Sequence, residues 1–277
     1  AEPRPERGVV DAIRAELTVD LERQAESPGD RLLFDLRRAA APELTPLAGS
    51  PGSLRLLDEA RLRAVWRRSH QSASMSLVAV TAASPPALLA MLEAIGLPAD
   101  QMADSLATPD PQETGASPLL LRSWYGEALV DHALADPHAA VAAYLISQNI
   151  ARSGTGVEVG VRLWQLRDRT LIVVAGAARS RRAAASIREA VQAALGDAVS
   201  SLDACVIEDA VDRVGREYRT RARSPGGLVE QVGRMADSTG GASDALQYLA
   251  GLARVTAASL SEYLDGLGPP FVVELLP

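Results

Sequence analysis

Chemistry has few places to sit in this chain. It carries three histidines and one cysteine, and all 28 of its basic residues are arginine, because no lysine occurs. The missing lysine excludes a phosphate-loop lysine and a Schiff-base lysine at once. The one local gathering of histidine and carboxylate is Asp131, His132, Asp136 and His138. Its spacing fits no common metal site. Asp136-Pro137 reads as the cap and first position of a helix, which leaves both histidines as expected surface residues. His70 follows Arg67-Arg68-Ser69 at the end of another expected helix, where positive charge is favoured. No Ser/His/Asp or Cys/His set can be read from spacing. Gly154 and Gly156, in Arg152-Ser153-Gly154-Thr155-Gly156, could cradle an anion, but a turn into a strand accounts for them. Arg179, Arg181 and Arg182 make a basic spot at a helix start, read as a solvated face, with an acidic partner as the alternative. Cys205 excludes an internal disulfide and falls on the apolar face of an expected helix, where it reads as a small buried hydrophobe.

The elements that must position these residues are organised by a repeat. Glu6 to Gly29 lies over Asp203 to Gly226 without a gap: Val9-Val10 on Val206-Ile207, Leu17 on Val214, Leu21 on Tyr218, and Ser27-Pro28-Gly29 on Ser224-Pro225-Gly226. Further on, Asp58 caps a helix carrying Leu62 and Val65, one position out of step with Thr256, which caps Leu260 and Tyr263. Each helix then runs into an apolar strand, Met75–Val80 in the first copy and Phe271–Leu275 in the second. Self-similarity of this kind fixes architecture before any residue-level reading. The second copy has about 85 residues ahead of its matching helix, counting one unit per copy. The first has only Ala1–Pro5, so its domain is expected to lack the front half.

Between the copies, Pro98 to Pro118 turns to Pro, Asp, Thr and Ser and reads as a linker. The expected division is therefore residues 1–98, a linker over 99–117, and a complete domain over 118–277. That domain opens with a strand from Leu119 to Val130, then an Ala-rich helix from Asp136 to Ile150. A hairpin about Arg167-Asp168-Arg169 follows, with Leu171–Ala175 as its most apolar strand, and then a run of helices. Strands followed by helices argue an α+β fold, with helices packed on one face of a mainly antiparallel sheet.

Composition limits the partners. At 277 residues and 47% hydrophobic, the chain can bury two ordinary cores. A net charge of −7 with only 4% aromatic residues is a poor footprint for nucleic-acid binding. No apolar run approaches the roughly 20 residues that span a bilayer. Ala1-Glu2-Pro3 is not a signal peptide but could follow a cleaved one, so a periplasmic or otherwise exported location is the expectation.

A tandem pair of α+β domains with this order of elements resembles the insulinase/pitrilysin-type zinc peptidases, which include the mitochondrial processing peptidases and the core subunits of the respiratory bc1 complex. Ser224–Pro277, with its Ser-Pro turn, "LARVTAASLSEYL" and closing "FVVEL", is similar to that family's domain ending. "PERGVV" and "PLAGSPGSLRLLDEARLRAVW" are similar to the rear half of its first domain.

The resemblance implies a zinc site that the chain does not carry. Active members hold zinc by His-x-x-Glu-His in the front half and by a third ligand, a glutamate on the helix matching residues 6–25. Glu6 matches the glutamate seven positions before that ligand, which puts Ile13 at the ligand position. Isoleucine cannot coordinate zinc. Glu16 lies one turn later and could serve only in a shifted register, which the ungapped repeat argues against. The family's second-domain arginine and tyrosine match nothing in the shortened "NIARSGTGVEVGV". The expectation is thus a non-catalytic member with no catalytic or metal residues. It would have no cofactor unless zinc comes with the missing half, and it would rely on a protein partner or a second copy to complete the first domain. Extended peptides added along an open sheet edge are the further expected ligand.

Overall fold

The computed structural model describes residues 6–42, 49–69, 78–95, 122–133, 136–153, 158–166, 169–178, 181–200, 203–239 and 242–276. The expected strand at 75–80 lies mostly outside these, and its described part, Val78–Val80, belongs to no strand. His70, Gly154, Gly156, Arg179 and the linker likewise lie outside the described residues.

The first elements are helices α1 (Arg7–Glu26), α2 (Pro28–Ala40), α3 (Pro51–Arg55), α4 (Glu59–Ser69) and α5 (Pro85–Ile95). Strand β1 (Ser123–Asp131), helix α6 (Pro137–Ser153) and the hairpin β2 (Glu158–Gln165) and β3 (Thr170–Ala178) follow. Helices α7 (Arg181–Ser200), α8 (Ala204–Arg221), α9 (Pro225–Thr239), α10 (Ala242–Leu252) and α11 (Ala257–Gly266) lead into β4 (Phe271–Leu275). The predicted starts are capped as their sequences dictate. Ser27 accepts from the Asp30 N–H at 3.4 Å, Asp58 from Arg61 at 2.8 Å, Ser224 from Gly227 at 3.0 Å, and Thr256 and Ser259 form a reciprocal capping box.

The chain folds as two compact units, one holding α1 and α3–α5, the other holding α2 with β1 and all that follows. The boundaries expected at 98 and 118 group α2 with α1; its packing groups it with the sheet. In the first unit α1 buries Val10 and donates from Arg14 Nη1 to the Leu57 carbonyl at 3.0 Å, just beyond α3.

The second unit is built on a four-stranded sheet in the order β2-β3-β1-β4, and every described pairing is antiparallel. Alternation along the central strands sorts side chains to two faces. Tyr125 and Leu129 of β1, with Ile172 and Val174 of β3, face a helical layer supplying Val141, Ile146, Ile187, Val191 and Ile207. Ala128, Leu171 and Val173 face the other way, onto Leu32 and Leu36 of α2. The expectation of helices on one face is corrected here, since α2 covers the second. Cover on both faces explains why β1 and β3 are buried almost without a break, whereas β4 at the edge exposes Phe271 and Val272.

Cys205 also departs from expectation: it is exposed. The buried stripe of α8 runs through Ile207 and Ala210. Two residues along a helix is about 200° of rotation, which turns Cys205 away from that stripe. Its amide is held by the Asp203 carboxylate, and that neighbour pushes the thiol above its ordinary range.

Candidate functional site

Two carboxylates are buried on the sheet face that meets α6–α8, Glu127 and Asp131, four residues apart on β1. Both are buried, and each receives a tyrosine. Tyr125 Oη donates to Glu127 Oε1, and Tyr263 Oη donates to Asp131 Oδ2 at 3.0 Å. Burial of an unpaired carboxylate would be costly, so these hydroxyls are what make the placement tolerable. They respond in turn: burial first, then the facing carboxylate, pushes both phenols far above the ordinary tyrosine range.

Asp131 ends β1 at the mouth of a cavity of about 450 Å3 that opens between the start of α6 and the start of α11. Three short-range devices aim side chains into it. Asp136 caps α6 by accepting from the His138 N–H at 2.8 Å, which fixes its carboxylate beside the imidazole. The capping box of α11 fixes Ser259 in the first turn. Tyr263 lies one turn further on the same helix face, so it stands above Ser259. The His138 ring stacks on Tyr263, with centroids 5.5 Å apart and an interplanar angle of 21°.

The result is a hydrogen-bonded series. Asp136 Oδ1 is 2.6 Å from His138 Nδ1, and His138 Nε2 is 3.0 Å from Ser259 Oγ. The expectation that His138 is a surface residue is therefore corrected: its side chain is 24% exposed, wedged between two helix starts. His132 does lie at the surface, on the cavity rim. Ser259 was not singled out from the sequence, and Tyr263 was read only as a position of the helix that Thr256 caps, not as a site residue. They stand more than 120 residues from His138, and the capping pattern at Thr256 is the only local signal they carry.

Among the described residues no three His, Cys, Asp or Glu side chains gather to hold a metal ion. The zinc position implied by the resemblance does not fit either. Ile13 sits on α1 with half its surface exposed; Glu16 is exposed on the same helix and Glu6 is exposed just ahead of it. Ten residues separate those glutamates, about 15 Å of helix rise, so they cannot share one ion.

A protease from Helicobacter pylori superposes with a TM-score of 0.81 at 9% identity, over 99% of this chain and 73% of that one. The peptidase M16 inactive domain from Pseudomonas fluorescens gives 0.70 at 14% identity, over 100% and 72%. The fold is M16-like. A chain of complex III2 from Candida albicans shares it, with a TM-score of 0.68 at 12% identity over 96% and 72%. No protein-family model and no curated protein sequence matches the chain. The M16-like fold carries helices on an antiparallel sheet, and it occurs among these neighbours in proteins described as a protease and as an inactive domain. Function must therefore be argued from residues.

Proposed function

We propose that this chain is a non-catalytic M16-like subunit that contributes, with a protein partner, to a peptide-binding chamber or scaffold. The observation that carries the reading is Ile13. At the position where the resemblance requires a zinc-binding glutamate, α1 presents an exposed isoleucine, and an aliphatic side chain gives zinc nothing to bind. Neighbours that include an inactive M16 domain and a chain of complex III2 support a role in which the fold serves as a surface rather than as a peptidase. No helix among the described residues is long and apolar enough to cross a membrane.

Dialysis of the 1–277 chain against trace zinc, followed by elemental analysis, tests this. The expected result is far less than one zinc per chain and no cleavage of a quenched fluorescent peptide. About one zinc per chain, lost on Glu16→Gln, would overturn the reading in favour of a zinc endopeptidase whose His-x-x-Glu-His segment lies on another piece of chain.

A further inference from the structure

We propose that Asp136, His138 and Ser259 form a nucleophilic relay that hydrolyses small uncharged carboxylic esters in the cavity at the end of β1. The series has the order such chemistry needs. Asp136 Oδ1, at 2.6 Å, accepts the hydrogen bond from Nδ1–H and so fixes the tautomer, leaving the Nε2 lone pair directed at Ser259 Oγ, 3.0 Å away. Ser259 Oγ accepts the Thr256 N–H at 3.0 Å, which leaves its own proton to donate. The Thr256 hydroxyl donates to Oγ at 3.2 Å, and the Thr256 carbonyl, also at 3.2 Å, is the one competitor described for its proton. Stacking on Tyr263 holds the imidazole plane, and Tyr263 is itself held by Asp131.

The surroundings suit an acyl group. Ser259 lies in the first turn of the ten-residue α11, where the amides of Ala257 and Ala258 have no acceptor inside the helix. That end carries the positive pole of the helix dipole, so a developing oxyanion beside Oγ is favoured there. Asp131, Asp136 and Glu262 line the same cavity and disfavour anionic substrates.

In the first half-reaction Oγ bonds to the ester carbonyl carbon and its proton passes to Nε2. The carbon–alkoxy bond then breaks and the alcohol leaves with that proton. In the second, water delivers a proton to Nε2 and its oxygen to the acyl carbon; the acid departs and Oγ regains the proton. The cycle needs water alone. It uses neither α1 nor a partner, so the chain would be non-catalytic as a zinc peptidase while carrying this separate activity, and the two readings stand or fall separately.

The test is labelling of the whole chain with an alkyl fluorophosphonate, a reagent that phosphonylates activated serines with loss of fluoride, followed by peptide mass mapping. One adduct per chain on Ser259 is expected, abolished when the protein is unfolded in urea. In His138→Gln, which keeps a hydrogen-bonding side chain, labelling should slow by about 100-fold or more, the usual scale for a lost general base. Failure of the native chain to label on Ser259, or equal labelling of native, urea-unfolded and His138→Gln protein, would overturn the relay. The native-chain result decides the matter even if the variant folds poorly.

Discussion

Two buried carboxylates set the chemistry of the sheet, and each depends on one phenol. Asp131 also accepts from the Ala133 amide at 2.8 Å, so Tyr263 is its only described side-chain donor but not its only donor. Tyr263→Phe should therefore destabilise the fold by about 1–3 kcal/mol, the cost of stranding a buried acceptor, without unfolding it. Urea denaturation measures this. The same phenols give a pH dependence whose sign is fixed. Tyr125 and Tyr263 are pushed upward, and burial with the nearby Tyr218 pushes Tyr248 up to about 12. The folded state thus keeps protons that the unfolded state releases above about pH 10. The stabilisation is complete below that value and is lost as pH rises toward the folded values. Alkaline titration should show tyrosinate absorbance appearing late and together with unfolding, and Tyr263→Phe should blunt the slope. The local part of this site was legible in the sequence: Asp136 as a cap, Thr256 as a cap, His132 at the surface. The pairing of His138 with Ser259 was not. It depends on two helix starts meeting across the sheet's end, and spacing within either helix says nothing of that.

Among the elements, α2 shows how an amphipathic helix can be read correctly and still be placed incompletely. Leu32, Leu33 and Leu36, spaced so as to share one face of a helix, all pack against the sheet, yet nothing local says which sheet face they cover. The answer lies in Gly126, in the middle of β1. A Cβ there would stand 2.6 Å from Leu36 Cδ1 and 3.3 Å from Leu32 Cδ2. The missing side chain is what lets α2 lie so close to the strand. Gly126→Val should push α2 away and cost about 1–3 kcal/mol by overpacking. Leu36→Ala should cost about 2–5 kcal/mol by leaving a cavity. The two should be strongly non-additive, since the truncation removes the atom the valine meets. Denaturation midpoints of the single and double variants check this, and simple additivity would show that Gly126 serves another purpose. The strands were easier to read than this helix. β3 is a near-continuous apolar run through Leu171–Ala175, as suits a strand covered on both faces, whereas β1 breaks its run with Gly126, Glu127 and Asp131 and shows its burial only in the structure.

At the scale of the whole molecule, the exposed face of α1 is the feature that a functional account must absorb. Val9, Ile13 and Leu17 recur every four residues and are 50%, 51% and 38% exposed. The positions that align with them on α8 are Val206, Ala210 and Val214, and those pack into the core, with Ala210 fully buried. A helix with that pattern has somewhere to bury its stripe in one copy and not in the other. Contiguous exposed apolar surface of this kind marks an interaction site or an aggregation hazard. Under the proposed role as a subunit, the stripe is where a partner or a second copy seats. Ile13→Arg should then disrupt association while leaving the melting temperature within a degree or two, because a half-exposed residue contributes little to the fold. Light scattering on the wild-type 1–277 chain should give a dimer or a complex, and the variant should give a monomer of the sequence mass, 29.2 kDa. A wild-type chain that is already a stable, monodisperse monomer with no co-purifying polypeptide would defeat the idea. A variant that stays associated would move the interface away from α1.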